Sequence, residues 1–282
     1  MKKVLLSLVL TLAAVAASVA PGARAAEVPP AIAGKGYVLT QNWDFGEVIK
    51  TRKELDALFY TRYVYNNGKQ DYLPGNKEWE RYRDDGNHVF TDHTLQLVAR
   101  MPGGLFNGGI TSGMIRSKWT GKYGYYECRI KVPKGLSLWP ACWINPEDKT
   151  WPPEIDIVEV VDNGRDTTRR SFHGLKNGKG DKSVVTFTKL NKHNAYEPGI
   201  DYADGFHTFA VEWTPTLVRH YVDDVLVDER TMPWRHDDGS DGGPAHVLVN
   251  LAVGGEWPGA PQSEALFPAA LDVDYVRVWQ KP

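Results

Sequence analysis

The feature that most constrains the fold of this chain is a series of short runs in which apolar and polar residues alternate. Such alternation is typical of half-buried β-strands, whose successive side chains point to opposite faces of a sheet. Turn-forming residues separate the runs, and 27 glycines and 18 prolines are available for this role. The runs cover 93–100, 124–132, 154–161, 207–214, 218–227, 245–253 and 271–280. Many short strands with little helix predict an all-β sandwich or barrel.

The domain organisation follows from the same pattern. One stretch, 51–65, has moderate helical character but could equally be irregular. β-Sandwiches can exceed 200 residues as single domains, and no linker-like segment divides residues 37–282. We therefore expect one domain over 37–282, preceded by an extended arm at 26–36 that is rich in Pro, Ala and Gly.

The N-terminus has the pattern of a secretory signal peptide. Lys2 and Lys3 precede an almost wholly apolar run at 4–20, and Ala23-Arg24-Ala25 offers a cleavage site. A membrane anchor is the alternative reading of 1–25. No other run approaches the ~18 apolar residues of a spanning helix. We expect cleavage near Ala26 and a secreted or periplasmic protein that is not held at a membrane.

The charge balance bears on possible partners. Without the leader, 30 basic and 35 acidic side chains remain, which gives a net charge of −5. This balance does not suggest a nucleic-acid partner. We expect a monomer.

The two cysteines, Cys128 and Cys142, lie symmetrically about Gly135 in the turn-like segment "VPKGLS". A hairpin centred on this segment would place them opposite each other, and an exported protein can hold such a pair as a disulfide. The alternative is two small buried thiols.

The segment "PPEIDIVEVV" (152–161) carries three carboxylates inside a strand-forming run. Glu154 and Asp156 share one face, whereas regular alternation would turn Glu159 into the core, where a charge is costly. A β-bulge after Asp156 adds one residue and returns Glu159 to the face of Glu154. The sequence therefore predicts three carboxylates in a row on one face of a sheet.

Crowded carboxylates destabilise a fold and raise the pKa of at least one of them. A glycosidase uses such a group, because it needs one ionised carboxylate and one that stays protonated near neutral pH. A solvated sheet face and a metal site are the alternatives.

Tryptophans surround the acidic strand. Trp139, Trp143 and Trp151 lie upstream, and Trp257 lies in "GGEWPG". Aromatic faces pack against sugar rings, so all four are candidate substrate-binding residues. Packing in the core is the alternative for each of them, and Trp151, among prolines and charges, is the least core-like.

Four segments, in this order, resemble glycoside hydrolase family 16, and within it the laminarinase-like endo-β-glucanases. They are "YGYYECRIKVPKGLSLWPACWI", "EIDIVEVV", "VNLAVGGEWPGAP" and "VDYVRVWQ". The resemblance implies a β-jelly roll of two curved antiparallel sheets, with a substrate cleft on the concave face and hydrolysis with retention of configuration. It implies that Glu154 is the nucleophile, Asp156 an assisting acid and Glu159 the general acid/base.

The resemblance also implies two further features. Many members of the family hold a structural calcium through the Asp of the last strand, here Asp274, which could instead be a plain exposed residue. No cofactor is implied for catalysis. His173 in "RRSFHG" falls where relatives have a histidine near the acid/base, although it could be an ordinary loop histidine.

Two departures leave the substrate open. Lys77 separates Asn76 from Glu78 where laminarinase-like members often have an Asn-Glu pair. Residues 165–193 carry a local charge of +6, which is typical of a solvated loop but could also bind an anionic glycan.

The first functional interpretation of the sequence is a secreted endo-β-1,3- or 1,3-1,4-glucanase. The alternatives are an endo-hydrolase of a sulfated or acidic galactan, a transglycosylase and a non-catalytic glucan-binding lectin. Such lectins typically lack the two glutamates, which this chain keeps.

Overall fold

The computed structural model describes residues 26–104, 109–161 and 201–282. The predicted signal peptide at 1–25, His173 and the basic stretch at 165–193 lie outside the described residues. Within the described residues, no helix is both long and apolar enough to cross a bilayer.

Strands dominate the described part of the chain. They are β1 (Val38–Asp44), β2 (Phe59–Tyr60), β3 (Glu80–Tyr82), β4 (His88–Phe90), β5 (Leu95–Ala99), β6 (Ile110–Ser112), β7 (Met114–Ser117), β8 (Gly124–Lys131), β9 (Leu138–Pro146), β10 (Ile155–Glu159), β11 (His207–Trp213), β12 (Leu217–Val222), β13 (Val225–Thr231), β14 (Ala245–Val253) and β15 (Ala269–Gln280). The helices are α1 (Arg52–Leu58), the short α2 (Tyr65–Gly68) and three 3-10 turns at Pro30–Ile32, Pro74–Asn76 and Glu264–Leu266.

The described strands form two large antiparallel sheets and one small parallel pair. The eight-stranded sheet has the order β13-β12-β11-β8-β15-β5-β4, with β1 also paired to β15. The five-stranded sheet has the order β10-β9-β14-β7-β2, and β3 pairs with β6 in parallel. The two large sheets enclose one hydrophobic core. This arrangement confirms the all-β sandwich.

Strand β8 shows how alternation in the sequence builds the sandwich. Tyr126, Cys128 and Ile130 point into the core between the sheets. Tyr125 points the other way and packs with residues that include Ile32 of the N-terminal arm. The arm therefore covers one part of the outer face of β8, which also carries Glu127 and Arg129.

Three local predictions differ from the structure. The run 218–227 is not one strand but the hairpin β12–β13, whose turn residues Asp223 and Asp224 have φ of 47° and 65°. Positive φ at both central residues is what a tight two-residue hairpin requires. The arm at 26–36 is not uniformly extended, since it contains the 3-10 turn at Pro30–Ile32. Within 51–65, α1 is helical but the chain then enters β2.

The predicted hairpin between the cysteines is wrong. Cys128 on β8 belongs to the eight-stranded sheet and Cys142 on β9 to the five-stranded one, because the chain crosses the sandwich between them. The two side chains still meet in the core, both are free thiols, and burial raises the pKa of Cys128 well above its usual value. The alternative reading, two buried thiols, describes this structure.

Candidate active site

The acidic strand β10 has an irregular register with β9. Asp156 pairs with Trp143 but Val158 pairs with Cys142, so the ladder shifts between Asp156 and Val158. This is the bulge that the sequence predicts. Ile155, Ile157 and Val158 are therefore all buried in the core. Glu154, Asp156 and Glu159 face together into a cleft on the outer side of the sheet.

The cleft has a volume of about 400 Å³. Its floor comes from β9, β10 and β14, and one wall comes from the segment between β2 and β3. The lining residues are Tyr63, Tyr65, Leu73, Gly75, Asn76, Glu78, Trp139, Ala141, Trp143, Trp151, Glu154, Asp156, Glu159, Asn250 and Ala252. The lining combines aromatic faces with carboxylates, as a carbohydrate site does.

Two of the predicted tryptophans contact the two glutamates directly. The indole Nε1 of Trp151 donates to Glu154 Oε2 at 3.0 Å, and that of Trp139 donates to Glu159 Oε1 at 2.9 Å. Trp151 is 49% exposed, so its ring face is open to a ligand. Each glutamate is thus held by an aromatic residue of the cleft.

The other two tryptophans have different positions. Trp143 is buried in the cleft floor, where its Nε1 donates to Asn250 Oδ1 at 2.8 Å. Trp257 is not among the residues that line the cleft. It packs edge to face against Trp139, with ring centroids 5.4 Å apart. Trp257 therefore supports the ring of Trp139 from outside the cleft lining.

Tyr63 and Tyr65 line the cleft and are not predicted from the sequence, whereas Asn76 and Glu78, the interrupted Asn-Glu pair, also lie in its lining. The density of tyrosines between 60 and 72 is the signal that could have found the first two. Burial, and then the negative charge of Glu154, raises the pKa of Tyr65. Its hydroxyl therefore stays protonated beside the acidic strand and can donate a hydrogen bond to a sugar.

Glu78 and Glu80 form a second carboxyl pair, in which Glu78 lines the cleft and Glu80 does not. They are 7% and 0% exposed. Glu78 accepts from Leu73 N at 2.8 Å, and Glu80 accepts from Val253 N at 2.8 Å. Burial, followed by the charge of Glu78, raises the pKa of Glu80 well above its usual value. The raised pKa favours the protonated form of Glu80, and burial raises the pKa of Glu78 as well.

Asp274 lies on the outer face of the eight-stranded sheet, and its carboxylate forms an ion pair with Arg129. Among the described residues, no group of three His, Cys, Asp or Glu side chains could hold a metal ion. Calcium takes six to eight oxygen ligands, so a guanidinium on the one carboxylate does not suit it. The structural calcium stays a prediction, and it would require Ca²⁺ to displace Arg129.

The sequence of this chain is similar to those of three characterised enzymes. The beta-glucanase of Rhodothermus marinus is 32% identical over 245 residues, which are 74% of this chain and 81% of the relative. The endo-1,3-1,4-beta-glycanase ExsH of Rhizobium meliloti is 32% identical over 60% of this chain, and the match spans only 33% of that protein. The kappa-carrageenase of Pseudoalteromonas carrageenovora is 29% identical over 92% of this chain and 69% of its own length.

A solved structure supports the same relationship. The laminarinase catalytic domain of Thermotoga maritima superimposes with a TM-score of 0.66 at 27% identity, covering 87% of this chain and 99% of that one. Its likeness confirms the jelly-roll arrangement of the sandwich. The model of the glycosyl hydrolases of family 16 matches residues 75–277, which include the whole acidic strand and the cleft floor. This chain belongs to the glycosyl hydrolases of family 16.

Proposed function

We propose that this protein is a retaining endo-glycosidase that hydrolyses internal β-1,3 or β-1,3-1,4 linkages of glucans. The observation that carries the proposal is the row of three carboxylates, two on β10 and Glu154 directly before it, within a cleft lined by aromatic residues. The likeness to a beta-glucanase over most of both chains supports the substrate class.

The reaction would proceed by double displacement. Glu154 attacks the anomeric carbon while Glu159 donates its proton to the leaving glycosidic oxygen. Glu159 then takes a proton from a water molecule, which attacks the anomeric carbon and releases Glu154. Asp156, only 4% exposed, lies between the two and assists by hydrogen bonding. These roles rest on the match of each residue to the family pattern.

The charge of the cleft favours a neutral glucan. The described lining contains four carboxylates, those of Glu78, Glu154, Asp156 and Glu159, and no Lys or Arg among the described residues. An anionic glycan would be repelled by this surface. The similarity to a kappa-carrageenase and the basic stretch at 165–193 keep a sulfated or acidic galactan as the second candidate.

We also propose that the protein is exported and acts as a monomer on extracellular polysaccharide. Residues 1–25 support the export, because a charged start, an apolar run and a small-residue cleavage site follow one another there. Mass spectrometry of the protein recovered from the culture medium or periplasm would test it, with a mature N-terminus near Ala26 as the expected result.

A substrate panel tests the proposed activity. Reducing-sugar release and product length would be measured on laminarin, lichenan, curdlan, agarose and carrageenan, with Glu154→Gln as the inactive control. We expect mixed oligosaccharides from laminarin or lichenan, which indicate internal cleavage. Cleavage of carrageenan with none of laminarin or lichenan would promote the second candidate. Long transfer products without net hydrolysis would indicate a transglycosylase instead.

A further inference from the structure

Two buried histidines outside the cleft contact the backbone of the catalytic strand. His220, on β12 of the opposite sheet, has its Nε2 3.0 Å from the carbonyl oxygen of Asp156. His236, in the segment after β13, has its Nδ1 2.8 Å from the carbonyl oxygen of Pro152. The two carbonyls lie two residues before and two residues after Glu154. The histidines thus hold the backbone on both sides of this glutamate.

The His220 contact lies at the bulge. A bulge disrupts the regular ladder, and here the irregularity begins at Asp156. His220 is 1% exposed, and burial lowers its pKa to about 4. The ring is therefore neutral with a single N–H, which must be on Nε2 to donate to a carbonyl oxygen. This hydrogen bond crosses the core from one sheet to the other.

The His236 contact orders the loop that precedes Glu154. Its Nε2 lies 2.9 Å from Asp148 Oδ2, so one ring contacts both ends of the loop. The same loop carries Trp151, the hydrogen-bond donor to Glu154. Gly242 lies between Trp234 and Pro153, where an added Cβ would come within 2.8 Å of both side chains. The segment 234–243 therefore forms a close-packed support for this loop.

We propose that His220 and His236 are positioning residues, which act through the backbone to keep Glu154 and Glu159 at the spacing that the reaction needs. The assignment rests on the proposed function for the roles of the two glutamates. Neither histidine lines the cleft, so each can act on the glutamates only through the backbone that it contacts. A misplacement of about 1 Å in a catalytic group can cost ~100-fold in rate.

Matched substitutions test His220. His220→Gln keeps an N–H donor near the position of Nε2, whereas His220→Leu fills a similar volume without one. On the best substrate of the panel, we expect kcat of the leucine variant to fall ~10- to 100-fold with KM nearly unchanged, and the glutamine variant to recover most of the loss. Equal loss in both variants, or wild-type kcat in the leucine variant, would overturn the proposal.

His236 is tested in the same way. Asn can place its Nδ2 near the position of the histidine Nδ1, so His236→Asn should keep the bond to Pro152, whereas His236→Val removes it. We expect His236→Val to lower kcat and to accelerate amide hydrogen exchange in a peptide covering 147–154, and His236→Asn to restore both. No difference between the two variants would contradict the role of His236.

A control and an activity-independent measurement complete the test. His88 is also buried and its Nε2 lies 2.8 Å from the carbonyl of Met114, away from β10. His88→Leu should lower the melting temperature without the selective loss in kcat. Amide hydrogen exchange of a peptide covering 152–159 should accelerate in His220→Leu but not in His88→Leu. Unchanged exchange in this peptide would overturn the positioning role, whatever the activity of the wild type. A wild type that cleaved no glycan in the panel would refute only the proposed function.

Discussion

The indole N–H of Trp139 donates a 2.9 Å hydrogen bond to Oε1 of Glu159. The same tryptophan lines the cleft and is braced by Trp257. A residue expected to stack on sugar therefore also orients a carboxyl group. Substrate binding and chemistry are therefore coupled through one side chain. Trp151 and Glu154 form the same kind of hydrogen bond on the other side of Asp156.

Trp139→Phe separates the two roles of this residue, because phenylalanine keeps an aromatic face but has no N–H. Glu159 becomes ionised as it gives up its proton, and a hydrogen bond to a charged group contributes about 1.5–3 kcal/mol, so we expect kcat to fall roughly 10- to 100-fold. KM should change much less, since the ring remains. Steady-state kinetics on laminarin measure both. A large rise in KM with unchanged kcat would show that stacking is the only role of Trp139.

Glu154→Gln should reduce turnover by at least about 10³-fold, because an amide of nearly the same shape is a poor nucleophile and the covalent intermediate cannot form. Thermal melting and glucan binding should stay near wild type. Both are measured on the same preparation as the activity. Turnover comparable to the wild type would remove Glu154 from the nucleophile role.

Azide should distinguish the two glutamates by the stereochemistry of the product. In Glu159→Ala, with a substrate that has an activated leaving group, azide can attack the glycosyl-enzyme and give a β-glycosyl azide. In Glu154→Ala, azide would replace the nucleophile and give an α-glycosyl azide. Proton NMR of the products identifies the anomers. The reverse pattern would mean that the two roles are exchanged.

The pair of Glu78 and Glu80 should make stability depend on pH. Since burial raises the pKa of Glu80 in the folded state, the folded chain binds a proton that the unfolded chain has lost above about pH 4.3. Stability therefore falls as pH rises from that value through the folded pKa. Each pKa unit of the shift corresponds to about 1.4 kcal/mol.

Glu80→Gln tests this dependence, because the amide can donate to Glu78 without a titratable proton. We expect its melting temperature to fall less than that of the wild type between pH 5 and pH 9. Glu54→Gln, at an exposed helix start, is the control: hydrogen bonds from Lys50 and Thr51 lower the pKa of Glu54, so its pH dependence lies in the acid range and the slope between pH 5 and pH 9 should stay close to that of the wild type. Identical slopes for Glu80→Gln and the wild type would show that the pair does not share a proton.

Arg129 and calcium should compete for Asp274. With the ion pair present, we expect the wild-type melting temperature to change little between EDTA and millimolar Ca²⁺. Arg129→Met frees the carboxylate and should produce stabilisation that grows with Ca²⁺, about 2.7 kcal/mol at 100 times the Kd. Adding Asp274→Asn should abolish that response. A wild-type protein that loses several degrees in EDTA would show that calcium displaces Arg129.

The sequence predicts the strands and the acidic row because both are local. The run 245–253 has the same bounds as β14, in which Val247, Val249 and Leu251 point into the core while Asn250 and Ala252 line the cleft on the other face. The bulge could also be predicted, because only an extra residue lets all three acids face one side of the strand while the Ile and Val side chains stay in the core. The hairpin at Asp223 and Asp224 was missed although its turn signal is local.

The tertiary structure alone decided which residues meet across the sandwich. Cys128 and Cys142 are 14 positions apart but lie in different sheets. His220 reaches Asp156 across 64 positions, and Trp143 reaches Asn250 across 107. The free energy that selects these contacts comes from burying the faces of two sheets against each other and from their long-range strand pairing. Periodicity within a segment reports which face is apolar, but it carries no information on which distant segment will cover that face.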